Sequence, residues 1–283
     1  MSTHDAGGRT VTVPPGRAGQ APTGRRRQRP RLGTAYSATA TVVLLALGVL
    51  LWFAGSAGSW WSAATLPAPA DVAAAFPALA ESSEFWRDTG RTFGEITLSF
   101  AAGSFLGLLA GTAFWKLPTV GRVFEPYLVS FYAVPMVLFY PVMIVVLGIN
   151  QWPVVVLATV MAFIPMALNS WVGLQGLPPV YLKLARSLRC TPTQTLFQVA
   201  LPGAAPYILA GTRLAAVYAL IGTVAMEFTT ASAGLGFRIR YLYEAFDNVT
   251  MFAYIVVVLT LSLVVTALLA LLEWRLMRRR SAT

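Results

Sequence analysis

Few side chains in this sequence could do chemistry. There are two lysines, Lys116 and Lys183. Neither stands in the GxxxxGK[ST] spacing whose backbone amides cradle the phosphates of a nucleotide. The chain therefore lacks a P-loop and is not expected to bind ATP by that route. The single histidine, His4, lies near the N-terminus, so the apolar segments hold no imidazole that could activate a serine nucleophile. The single cysteine, Cys190, allows no intrachain disulfide, and its neighbours suggest a cytosolic setting. No Cys, His, Asp or Glu cluster has metal-ligand spacing. These features predict a chain that is not an enzyme. No catalytic residue, metal or cofactor is expected.

Three ionisable residues border apolar segments: Glu95, Arg213 and Glu227. A carrier that trades ions usually holds such groups near mid-membrane. All three instead fall near the ends of predicted spans. Arg213 is about two turns into its segment and can reach water with its long stem. Glu227 closes the same segment on the outer side. It reads either as an interface anchor or, with Arg238, as part of an outer gate or pathway.

The elements that carry these residues are apolar helices. The composition is 57% hydrophobic and 11% charged, against roughly 25% charged in soluble domains. Several windows of about 20 residues are nearly free of charge, enough to cross ~30 Å of hydrocarbon as helix. The expected class is all-α, a polytopic membrane protein with six transmembrane helices. The spans are read at 35–53, 93–115, 127–147, 153–171, 206–226 and 249–274. With both termini inside, sixteen Lys and Arg fall on inner segments and four on outer ones, as the positive-inside rule requires. The net charge of +10 is thus assigned to membrane flanks facing anionic lipid, not to nucleic acid.

Four regions follow. Residues 1–33 form a basic cytoplasmic tail, rich in Gly, Pro, Arg and Thr and expected to be disordered. The stretch GRRRQRPRL superficially resembles a twin-arginine export signal, but the apolar run behind it reads better as an uncleaved first helix. Residues 34–92 hold that helix and an outer connection, where LPAPADV predicts a turn and then a short helix with Ala73, Phe76 and Leu79 on one side. Residues 93–275 form a core of five spans, and residues 276–283 a basic cytoplasmic end. Small residues recur four apart at Gly103, Gly107 and Gly111, and at Gly211, Ala215 and Ala219. Such stripes let helix backbones approach closely.

Between the fourth and fifth spans lies a polar, proline-punctuated hairpin, residues 176–202. Pro178 and Pro179 suit a helix start. Tyr181, Leu184, Ala185 and Leu188 then follow at i, i+3, i+4 and i+7 and form one apolar face. Thr191-Pro192-Thr193-Gln194 has the form of a capping box and should start a second helix that Pro202 ends, with Pro206 opening the next span. Pattern alone leaves two readings open: a hairpin lying on lipid headgroups, or a helix docked in a groove of a soluble subunit.

Aligned on Leu201-Pro202, this segment resembles the EAA loop of the permease subunits of binding-protein-dependent ABC importers, E-A-A-x3-G-x9-I-x-L-P. Lys183 stands at the glutamate position, Leu184 and Ala185 at the two alanines, Arg189 at the glycine and Val199 at the isoleucine. The blocks LPAPADV, WRDTGRTFGEITLSFAAGSFLGLLAG, YAVPMVLFYPVMIVVLGI, NSWVGLQGLPPVY, LPGAAPYILAGTRLA and AMEFTTASAGLGFRI look like successive blocks of the nitrate, sulfonate and taurine branch. The resemblance implies a type I importer permease fold in a bacterial inner membrane. It implies ATP bound by separate ABC ATPase subunits, an extracytoplasmic solute-binding protein and a second permease. Tyr181, Lys183, Leu184, Ala185, Leu188, Arg189 and Gln194 would couple to the ATPase. The solute would be small, such as nitrate, a sulfonate, taurine or a related anion. An arginine where glycine is usual would cost roughly 1 kcal/mol if the backbone there is left-handed. A carrier or channel working without an ATPase is the alternative from another class, and a scaffold with its hairpin resting on lipid is a third.

Overall fold

The computed structural model describes residues 32–62 and 65–281. The basic tail expected over residues 1–33 falls almost wholly outside them, as does His4. Among the described residues every regular element is helical. The chain divides into two units, Met1–Leu50 and Leu51–Thr283. What is described of the first is part of α1 (Leu32–Ala57), an apolar helix.

In the second unit the order is α2 (Pro69–Glu81), α3 (Ser83–Lys116), α4 (Pro118–Ala133), a 3-10 turn (Met136–Phe139), α5 (Tyr140–Leu147), α6 (Trp152–Gln175), α7 (Pro179–Ser187), α8 (Pro192–Gln194), a π-helical segment (Thr195–Ala200), α9 (Leu201–Thr230), α10 (Leu235–Glu244) and α11 (Asn248–Ser281). Among the described residues four helical segments are long and apolar enough to span a membrane, or five if α4 and α5 make one bent span. The expected first span, 35–53, lies within α1, whose described apolar part includes Ala46–Ala57.

The expected third span, 127–147, is not one helix. It bends by 88° between α4 and α5. Pro135 explains the break. It has no N–H to donate, and it drives Val134 out of the helical region, to φ −77° and ψ 126°. Conversely, Pro202 and Pro206 do not break the helix around them. The π-segment widens the turn ahead of Pro202, with the Leu201 N–H reaching back five residues to Leu196 O, so the ring is accommodated where a tight α-turn would clash.

α3 begins ten residues before the expected 93, capped by the Ser82 hydroxyl, which accepts from the Phe85 N–H at 3.4 Å. Its 34 residues make roughly 50 Å of helix, longer than the hydrocarbon needs. Polar residues such as Glu84 and Asp88 fill the extra turns.

The bundle centre is α3 and α9 packed on α6. The glycine stripe of α3 sets the α3–α6 spacing. A Cβ at Gly103, Gly107 or Gly111 would come within 2.6–2.7 Å of Ala162, Met166 or Ser170 of α6. Gly211, Ala215 and Ala219 of α9 are buried, with Ala215 and Ala219 packed against Ala162 and Met166. Both stripes therefore serve packing within the chain. At the end of α9 remote from the hairpin, α2 joins α10 and α11 in a second core of Val72, Leu79, Phe85, Leu235, Ile239, Leu242 and Tyr254. The buried face of α2 runs through Val72 and Leu79, while Ala73, expected on it, is exposed.

Candidate functional site

Two constellations stand at opposite ends of α9. The first is the hairpin. α7 starts with Pro179 at its first turn and packs on the π-segment. It stops in a Schellman motif: the Arg189 N–H donates to Arg186 O at 3.0 Å and the Cys190 N–H to Ala185 O at 3.0 Å. Arg189 has φ +51°, the left-handed conformation that favours glycine. Arginine thus holds the backbone geometry that glycine would adopt more easily. Beyond it Thr191 closes the expected capping box. Its hydroxyl accepts from the Gln194 N–H at 3.3 Å, and its own N–H donates to Gln194 Oε1 at 2.8 Å.

The apolar residues of α7 separate into two groups. Ala185 is buried, whereas Tyr181 is 47% exposed, Leu184 56% and Leu188 68%. Ala185 therefore does not share the outward face on which it was expected, and belongs instead to the contact within the hairpin. Val180, not singled out from the sequence, and Phe197 of the expected second helix add exposed apolar surface to the same hairpin. Lys183, Arg189 and Gln194 are exposed. The Gln194 side chain is engaged in its cap. Tethers at both ends thus hold a short helix that presents a row of large apolar groups no described residue covers, as a docking face must.

The second constellation ties α3 to the α9–α10 connection. Glu227 is fully buried. Its Oε1 accepts from the Thr92 hydroxyl at 2.7 Å and its Oε2 from the Gly236 N–H at 2.8 Å. Thr92 Oγ1 in turn accepts the Leu235 N–H at 2.8 Å. Asp88, also buried, takes the Gly234 N–H at 3.3 Å and Arg238 Nε at 2.9 Å, and Arg238 reaches Glu84 at 2.9 Å. Gly234 has φ +109°, and a Cβ there would strike the Glu227 carboxylate. Arg240 donates to the carbonyls of Thr229 and Ala231. The loop is thereby stitched down at both ends.

Both residues expected at an outer gate thus hold the same loop to α3, Glu227 buried through Thr92 and Gly236, and Arg238 half-buried through Asp88. Their partners Asp88 and Thr92 were missed. The signal was present: Asp88, Thr92, Glu95 and Ser99 recur at spacings of four, three and four, a polar stripe on one face of α3. Glu95 pairs with Arg91 at 2.9 Å on the same helix. Arg213 is exposed and lines a cavity of about 170 Å³ between α9 and α11, with Ser262 and Thr266. Among the described residues no group of three or more His, Cys, Asp and Glu is arranged to hold a metal ion.

Comparison with known proteins adds three findings. The family model described as "Binding-protein-dependent transport system inner membrane component" matches residues 103–278. The chain is 28% identical over 230 residues to the taurine transport system permease protein TauC of Escherichia coli (strain K12), covering 77% of this chain and 84% of that protein. It is 27% identical over 208 residues to the formylaminopyrimidine transport permease protein ThiX of Halalkalibacterium halodurans, covering 74% and 83%. The fold is similar to that of a chain in an inward-facing structure of the MetNI methionine ABC transporter, with TM-score 0.57, 22% identity, and coverage of 69% of this chain and 95% of that one.

Proposed function

We infer a transport role for this chain, which belongs to the family of binding-protein-dependent transport system inner membrane components. It is the permease subunit of an ATP-driven ABC importer. It forms the membrane pathway for a small solute that an extracytoplasmic binding protein delivers. It performs no catalysis of its own. ATP binds to separate ATPase subunits in the cytosol, and a second permease completes the pathway. Both termini lie on the cytoplasmic side of the inner membrane.

The observation that carries this reading is the uncovered row of Tyr181, Leu184 and Leu188 on a short helix clamped at both ends. Covering one leucine side chain is worth about 1.5–3 kcal/mol, so the row can anchor a partner subunit. Closure of the ATPases would push on α7. Because the π-segment joins α8 to α9 without a break, the push would pass into the bundle and tip it between inward- and outward-open states. At the far end, Glu227 and Arg238 act by holding the α9–α10 loop on α3, so that the outer mouth moves as one piece with α3 and α9.

An ion-coupled carrier acting alone is not favoured. Of its natural candidates, Glu227 has both carboxylate oxygens bonded, to Thr92 and Gly236, and Glu95 is paired through Oε1 with Arg91. The test is ATP hydrolysis by the purified chain, alone and with its ATPase subunit. None is expected from the chain alone, and binding-protein-stimulated hydrolysis is expected from the assembly. Saturable hydrolysis by the pure polypeptide would contradict the reading.

A further inference from the structure

At the break between α4 and α5, Tyr132 shares a ring contact with Tyr218 and a cavity wall with Asn169, in otherwise apolar surroundings. Tyr132, in the last turn of α4, packs edge-on against Tyr218 of α9, ring centroids 4.9 Å apart and planes at 64°. On one side of Tyr132 a cavity of about 360 Å³ opens between α4 and α6, reaching Asn169 and Pro165. On its other side a narrow cleft runs behind Tyr218 to Val134 and Met136, at the break itself. Asn169 donates from Nδ2 to Pro165 O at 2.8 Å, and no described residue pairs with its Oδ1. Non-helical backbone at membrane depth is tolerated where it lines a cavity, and transporter sites often sit at such interruptions.

The chemistry of this place selects a kind of solute. No charged side chain lines the cavity or the cleft. The end of α4 that reaches it is a helix C-terminus, which carries partial negative charge. A compact anion such as a sulfonate would find no cation there, only the start of the short 3-10 turn at Met136. Two phenol rings offer faces and edges for stacking, while two hydroxyls and an amide supply both donors and acceptors. The cavity lined by Tyr132 and Asn169 lies in the volume range of small-ligand pockets, and Tyr218 lines the narrow cleft adjoining it.

We propose that Tyr132, Tyr218 and Asn169, gathered at the α4–α5 break, form a transit site for a planar, uncharged heterocyclic solute. The proposal rests on the importer reading and names its substrate class. Tyr132 and Tyr218 part to admit the ring, and Asn169 holds its polar edge.

The test uses the purified permease–ATPase assembly without nucleotide, and riboflavin as a fluorescent planar probe whose emission falls on stacking against tyrosine. Saturable quenching is expected. Tyr218→Ala and Tyr132→Ala should each weaken it at least tenfold, while Tyr218→Phe, which keeps the ring, stays within about threefold of wild type. A hundredfold excess of methanesulfonate should not displace the probe. Absence of saturable quenching, wild-type affinity in either Ala variant, or displacement by methanesulfonate would overturn the proposal. Co-purification of the ATPase reads out the importer role separately. If it persists while quenching is absent, only the substrate class is wrong; if it fails, the importer reading falls and the transit site with it.

Discussion

Asp88 and Arg238 stand 150 residues apart in the chain, yet the Arg238 Nε donates to Asp88 Oδ2 at 2.9 Å. The Asp88 side chain is 1% exposed and that of Arg238 14%. Removing one partner of a buried pair leaves the other charge without compensation, at a cost of about 3–5 kcal/mol. Arg238→Ala should therefore lower the thermal stability of the detergent-solubilised protein sharply. Adding Asp88→Asn to it should recover part of the loss. Strict additivity of the two substitutions in a double-mutant cycle would show that the pair is not coupled.

Gly236 is held by close approach. A Cβ there would lie 2.5 Å from Val224 O and 2.7 Å from Glu227 Cβ. Gly236→Ala should push α10 off α9, break the Gly236–Glu227 bond, and leave a buried carboxylate oxygen unpaired. Amide hydrogen exchange across Leu235–Glu244 should rise, with the hairpin end unchanged. Wild-type protection in that segment would contradict the clamp.

How much of this was legible in the sequence depended on how local the cause was. The hairpin could be read because its signals are local: Pro179 acts on the first turn of α7, and Thr191 and Gln194 cap one another within a turn. The glycine stripes announced close packing, though only the structure assigns Gly103, Gly107 and Gly111 to α6. Hydropathy alone joined 127–147 into one span, because it does not register that Pro135 withholds a hydrogen bond. The opposite error was made at Pro202, where a wide π-turn absorbs a residue that usually stops a helix. The clamp was half legible. Glu227 stood out as a membrane-bordering acid, but its partner Thr92 lies 135 residues away, and no local pattern links them. Ala185 fits the apolar periodicity of α7 yet is buried, since periodicity finds a face without saying which edge of it meets the other arm of the hairpin.

Arg189 occupies a left-handed position, φ +51°, at the end of α7. Glycine there avoids the clash between Cβ and backbone, worth about 1–2 kcal/mol. Arg189→Gly should keep the Schellman bonds, raise or maintain hairpin stability, and leave ATPase affinity unchanged at both low and high salt. A loss of affinity that shrinks at high salt would instead make Arg189 a charged contact to the partner.

The docking face is tested most directly by placing a carboxylate on it. Leu184→Asp is the substitution of choice, because Leu184 is 56% exposed in the free chain, so the bundle should fold without it. Docking would strip water from the new charge, an unfavourable step. The measurement is ATPase co-purification with the folded permease, quantified beside the thermal melt of the permease alone. The account predicts an unchanged melt and at least a tenfold loss of bound ATPase. Wild-type ATPase binding and transport in Leu184→Asp would contradict it.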